Sequence, residues 1–254
     1  MKLLHLLLTT LMATTIQAQL KPIAYSDGTQ KLNGFAGEPL QKLANKPGIL
    51  ILPAWKGIDD HAKKSASKLA QLGYFTFIAD IYGEGNYPKD ASEAGKQAGL
   101  YKQNFKDYQK RIKLALDQLL KAGAEASNIV AIGYCFGGTG VLEAARAGLQ
   151  LEGVVSFHGG LGKDESRATE PISAKILVCH GADDPFVSKE ELEGFHKEMH
   201  DSNADWQMIY YSNAVHSFTD PNSGNDSSKG AAYSEKADKR SWAHFMLFLK
   251  ETLR

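Results

Sequence analysis

Short apolar runs recur along the chain, each followed by a longer stretch whose apolar positions repeat with a helical period. The runs are residues 48–52, 74–78, 129–134, 154–157, 176–179 and 206–211. Most are continuously apolar, as parallel strands are when helices cover both faces of their sheet. The last is more mixed and fits a sheet edge. Helical patterns fall at 60–72, 108–122, 139–147 and 189–199. A final one, 231–253, sets Trp242, Phe245, Met246, Phe248 and Leu249 on one stripe. Strand–helix alternation of this kind predicts an α/β fold, with a mostly parallel, doubly wound sheet and helices on both faces. Residues 23–36 read as a hairpin with Asp27-Gly28 as the turn signal. Residues 83–105 form a connection long enough to rim a pocket. Residues 222–230, rich in Ser, Gly, Asn and Asp, read as a loop. No repeat or linker divides residues 19–254, which are expected to form a single domain.

The first residues break the pattern. Lys2 supplies a positive charge, residues 3–16 are mostly apolar without fixed charge, and Ala18 is a small residue before Gln19. This is the layout of a secretory signal peptide over residues 1–18, with export to the periplasm or the medium. Lys+Arg and Asp+Glu are both 29, so losing Lys2 leaves 28 against 29, a net charge of −1. Near-neutrality gives no reason to expect nucleic acid or an anionic membrane as a partner. Hydrophobic residues make up 43% of the chain, ordinary for a soluble domain, so a small-molecule partner is the expectation and oligomeric state is left open. Export and two cysteines invite a disulfide, but Cys179 sits within a buried-strand run, where cysteine packs as a small hydrophobe.

Cys135 has a different setting. Gly133-Tyr134-Cys135-Phe136-Gly137-Gly138 joins the strand at 129–134 to a helical pattern. That is a nucleophile elbow with sulfur in place of the usual hydroxyl. A tight turn lifts the side chain above the sheet edge, and the following helix N-terminus favours a thiolate. Asp183-Asp184 follows the strand at 176–179, so either carboxylate emerges where α/β sheets bind ligands. His216 lies in the loop after the last strand. Nucleophile, acid and histidine thus occur in the order this elbow requires, with the histidine as base and the acid orienting it.

These segments resemble the dienelactone hydrolase family of α/β-hydrolases over essentially the whole of residues 19–254. The resemblance rests on the Cys135 elbow, on Gly181-Ala182-Asp183-Asp184-Pro185-Phe186-Val187 and on His216-Ser217-Phe218. It implies an α/β-hydrolase fold and hydrolysis of small esters or lactones through a thioacyl intermediate, without metal or organic cofactor. It selects Asp184 over Asp183, because the family acid precedes an x-x-Val segment. It also implies an oxyanion hole made by the backbone N–H groups of Phe136 and Trp55. Departures accompany the match. Where the family carries a Glu near the thiol, this chain has Ala54. Where it carries two substrate-binding arginines, counting from the motifs gives Glu84 and Asp220. Two anions in those places would repel an anionic lactone, so dienelactone itself is not the expected substrate and anionic esters should be the poorest. Tyr82 and His158 are further expected pocket residues. The missing Glu supports the alternative of an exported binding protein without turnover. His196 and His200 are four apart on a predicted helix, but with no third ligand they read as a solvated face.

Overall fold

The structure is a computed structural model that describes residues 18–253. Its architecture is an eight-stranded sheet in the order β1-β2-β4-β3-β5-β6-β7-β8. The strands are β1 (Leu20–Asp27), β2 (Gln30–Gly37), β3 (Gly48–Leu52), β4 (Phe75–Ile78), β5 (Ile129–Tyr134), β6 (Gly153–Phe157), β7 (Lys175–Gly181) and β8 (Trp206–Tyr211). β1 and β2 form the hairpin, with Asp27 paired to Gln30, so Gly28-Thr29 is the actual two-residue turn and Gly28 takes φ +56°. β2 also runs antiparallel to β4, while the other pairings are parallel. β3, β4, β5 and β6 are buried at every residue, whereas the edge strand β8 is only partly covered. The continuous apolar runs therefore mark the strands covered on both faces.

Helices α1 (Asp60–Gln71) and α6 (Glu235–Thr252) pack on one face. There Ala62, Ala66, Leu69, Phe245 and Leu249 meet Ile49, Ile51, Val130, Ile132 and Val155. Helices α2 (Ala91–Gln103), α3 (Phe105–Lys121), α4 (Phe136–Arg146) and α5 (Lys189–Asp201) cover the other face. Tyr108, Ile112, Val141, Leu142, Phe195 and Met199 pack there on Leu50, Leu52, Ala131 and Val178. The doubly wound expectation holds, with α1 started by Asp59, whose carboxylate accepts from the Ala62 N–H.

The long connection at 83–105 contains an unexpected helix. Asp90 caps α2 by accepting from the Glu93 N–H, but only Ala94 and Ala98 are buried along it. Small residues and two glycines give too weak an apolar stripe to show in the sequence. α4 begins at Phe136, directly after the elbow, rather than at 139. Among the described residues no helix is long and apolar enough to cross a membrane. Of the segment expected as a signal peptide, residues 1–17 lie outside the described residues. The Ala18 carbonyl accepts a hydrogen bond from Ser67 at 2.8 Å.

Candidate active site

The elbow is built by close backbone approach. A Cβ on Gly133 would collide with the Gly137 carbonyl, and one on Gly137 with the Leu52 carbonyl, so strand, turn and helix pack only with glycine at both places. Between them Cys135 adopts φ +54°, ψ −113°, a strained conformation for a side-chain-bearing residue. It is held there by its N–H on the Phe157 carbonyl at 3.0 Å and by the Thr139 N–H on its own carbonyl at 3.2 Å. From behind, the Tyr108 hydroxyl donates to the Phe136 carbonyl at 2.9 Å. Its ring stacks on Phe136 with centroids 4.5 Å apart.

The elbow brings the sulfur to the sheet edge, and two loops bring its partners. His216 Nε2 lies 3.0 Å from Cys135 Sγ, and His216 Nδ1 lies 2.8 Å from Asp184 Oδ2. Asp184 is fully buried at its side chain, and its Oδ1 accepts from the Phe186 N–H at 2.9 Å. Asp183 points outward and is exposed, so geometry separates the two adjacent acids. The His216 imidazole sits between the rings of His158 and Phe186, with centroids at 5.3 and 5.2 Å.

Electrostatics divides the protons in this trio. Burial pushes the Cys135 thiol up. The His216 hydrogen bond and charge, the Phe136 N–H and the Lys102 charge outweigh that and bring it below its ordinary value. Burial pushes His216 down, but the bonds to Asp184 and Cys135 raise it to about 10. The arrangement therefore favours a thiolate–imidazolium pair. Cys179 is the contrast: burial raises it to about 12, leaving an inert thiol. Both cysteines are free.

A cavity of about 420 Å³ opens over the sulfur. Trp55, Ala98, Phe186 and Val187 supply apolar walls, and Lys102 is the only Lys, Arg, Asp or Glu among its lining residues. The Lys102 side chain makes no ion pair or hydrogen bond with another described residue. It belongs to α2, the helix that left no clear apolar pattern.

The expected pocket residues are mostly elsewhere. Glu84 is exposed at the hairpin, where its N–H donates to the Lys31 carbonyl and its carbonyl accepts from Gln30. Asp220 caps the short 3-10 turn Pro221–Ser223 and lines a different cavity, of about 170 Å³. Neither anion faces the thiol, because both loops fold away from positions inferred by counting along the chain. Ala54 does not line the cavity but adjoins Trp55, which does. Tyr82 is one layer back, stacked on Phe136, with its hydroxyl donating to the Trp55 carbonyl at 2.7 Å. That bond anchors the main chain at Trp55, and the Trp55 N–H has no hydrogen-bond partner among the described residues. His158 supports His216 from behind and is not exposed to the cavity. His196 packs on Trp206 at 5.3 Å, and His200 Nδ1 lies 3.2 Å from Asp201.

The sequence model of the dienelactone hydrolase family matches residues 32–253. A Caenorhabditis elegans protein is 38% identical over 56% of this chain and 91% of its own length. A Bradyrhizobium protein, named "probable 2-oxo-3-(5-oxofuran-2-ylidene)propanoate lactonase", is 28% identical over 68% of this chain and 73% of its own. Among solved structures, a dienelactone hydrolase-like promiscuous phosphotriesterase from metagenomic libraries superposes with a TM-score of 0.87. It is 35% identical, and the match covers 94% of this chain and all of that one.

Proposed function

Because the chain belongs to the dienelactone hydrolase family, we propose that it hydrolyses small carboxylic esters or lactones through a thioacyl intermediate on Cys135. The observation that carries this reading is the unbroken chain of contacts from sulfur to His216 at 3.0 Å and on to Asp184 at 2.8 Å. A scaffold kept only for binding has no need of a strained, hydrogen-bonded thiol.

The geometry supports the following course. The Cys135 thiolate attacks the carbonyl carbon, and the carbonyl electron pair moves onto oxygen, stabilised by the N–H groups of Phe136 and Trp55. The carbon–oxygen single bond then breaks, and the alkoxide takes the His216 proton. In a lactone the alkoxide stays tethered to the acyl group. Neutral His216, held by Asp184, next removes a proton from water. The hydroxide attacks the thioester, and thiolate leaves with the imidazolium restored. Since His216 already holds a proton before attack, it acts first as an acid and only afterwards as a base.

Lys102 indicates the substrate charge. Apart from the Cys135–His216 pair, Lys102 is the one charged residue among the lining and favours an acyl or leaving group ending in a carboxylate, and Glu84 and Asp220 are not placed to oppose it. The propanoate in the name of the Bradyrhizobium relative fits the same chemistry. Anionic esters are thus proposed as substrates rather than the poorest ones. The test compares p-nitrophenyl butyrate with mono-p-nitrophenyl succinate. Cys135→Ala is expected to abolish turnover of both, and Lys102→Glu to lower selectivity for the anionic ester. Wild-type turnover by Cys135→Ala overturns the mechanism, and unchanged selectivity in Lys102→Glu overturns the charge assignment.

Export is proposed from Lys2, the apolar residues 3–16 and Ala18. N-terminal sequencing of protein recovered outside the cytoplasm should begin at Gln19, and cleavage there removes the Ser67–Ala18 hydrogen bond.

A further inference from the structure

Behind the proposed catalytic histidine, a line of polar groups crosses the sheet edge to the opposite face. His158 follows β6 with φ +41°, and its imidazole is almost wholly buried. His158 Nε2 lies 2.8 Å from Thr219 Oγ1, and Thr219 Oγ1 lies 3.2 Å from His61 Nε2. Thr219 is buried and stands three residues after His216 on the same loop. His61 belongs to the first turn of α1, packs edge-on against Tyr134 at 4.4 Å, and lines the second cavity with Asp220, Asp238, Lys64 and Lys68. None of these three side chains lines the thiol cavity.

The geometry points to Thr219, gripped between His158 and His61, as the positioning residue that aims the His216 imidazole at Cys135. The inference rests on the reading of Cys135 and His216 as the reacting pair. A hydroxyl has one proton and two lone pairs, so between two imidazole nitrogens it can accept from both, or accept from one and donate to the other, but it cannot donate to both. His158 is the donor. Burial and the nearby His216 charge keep it neutral, and its single N–H belongs at Nε2, the ring nitrogen that has a partner. Its Nδ1 is buried without a partner and is then a bare acceptor rather than an orphaned donor. Thr219 then has its own O–H to donate to His61 Nε2 when that nitrogen is unprotonated. His61 is lowered mainly by burial, while Asp220, Asp59 and Asp238 raise it and Lys64 lowers it, so near neutral pH the ring is uncharged and offers one acceptor nitrogen.

The consequence reaches the thiol through packing. The loop from His216 to Thr219 includes Ser217 at φ +57°, and Phe218 packs edge-on against His158 at 5.1 Å. With the hydroxyl removed, the loop loses its buried polar anchor, and the imidazole loses a fixed wall at 5.3 Å. Small errors of aim are costly in such a pair. The Asp184 contact approaches His216 from another loop, at Nδ1.

The test measures the pH dependence of Cys135 alkylation by iodoacetamide alongside ester kinetics. Thr219→Val, nearly isosteric, is expected to raise the alkylation midpoint and lower kcat by about 10- to 100-fold with little change in KM. Thr219→Ser, which keeps the hydroxyl, should restore both. His61→Leu, near the surface end of the line, should shift the midpoint the same way and serves if Thr219→Val does not fold. An unmoved midpoint in the folded variants, or Thr219→Ser as impaired as Thr219→Val, overturns the assignment. Alkylation reads the thiolate–imidazolium pair whether or not esters are turned over. Failure of the hydrolase reading would instead show as wild-type protein inert toward every ester.

Discussion

Asp184→Asn separates the charge of the proposed acid from its shape. Asp184 Oδ1 accepts from the Phe186 N–H at 2.9 Å, while Oδ2 meets His216 Nδ1 at 2.8 Å. An asparagine keeps the first bond by turning its carbonyl oxygen to Phe186, which leaves its NH₂ facing His216. Nδ1 must then be the unprotonated nitrogen, and the imidazole can carry only the Nε2 proton. The imidazolium loses its counter-charge at a site where the carboxylate is fully buried and the imidazole nearly so. Removing one partner of a buried, hydrogen-bonded charge pair costs about 2–5 kcal/mol. At about 1.4 kcal/mol per decade, kcat/KM should fall on the order of 30- to several-thousand-fold. Asp184 also supports the raised value of His216, near 10, so its loss should draw the histidine down and the thiol up. The assay is kcat/KM on p-nitrophenyl butyrate with parallel iodoacetamide alkylation across pH, after circular dichroism has shown wild-type folding. A loss under about threefold with an unmoved alkylation profile would refute the reasoning.

In wild-type protein, kcat/KM should rise with pH as the thiolate forms, at a midpoint below the ordinary thiol value of 9.0. It should fall as His216 loses its proton near 10, and a rising limb at or above 9.0 would contradict the ion pair. Gly137→Ala places a methyl group into the Leu52 carbonyl and should yield little folded protein, as read by soluble expression and thermal melting. Arg146, on α4, bridges Glu143 at 2.9 Å and Glu198 of α5 at 2.7 Å with its guanidinium almost wholly buried. Arg146→Met leaves Glu198 a buried, unpaired charge, at a cost of about 3–5 kcal/mol, and should lower Tm by on the order of 10 °C.

The strands were legible because burial on both faces writes itself as continuous apolar runs, and the elbow because two glycines and a nucleophile must alternate there. The order Cys135, an acid of the Asp183-Asp184 pair, His216 followed from placing each after a strand that ends at the same sheet edge, and the choice of Asp184 came from the family resemblance. The pocket was not legible for a corresponding physical reason. α2 is held by a cap and two small buried alanines, so its helical period carried no signal and nothing singled out Lys102 within the connection. Glu84 and Asp220 were placed by counting from motifs, but counting ignores that one is tied to the hairpin and the other caps a short turn. The line through His61, Thr219 and His158 joins residues far apart in the chain, with no spacing to announce it. Ser, Thr and His show such contacts only in three dimensions.

The central claim is that the acyl group passes through the sulfur of Cys135. It is tested most directly with a p-nitrophenyl carbamate, whose carbamoyl-enzyme hydrolyses slowly enough to be trapped. The account predicts release of nitrophenol matched by one carbamoyl group per protein, which digestion and mass spectrometry locate on Cys135. Inactivation with Cys135 unmodified, or with the carbamoyl group on another residue, would contradict it.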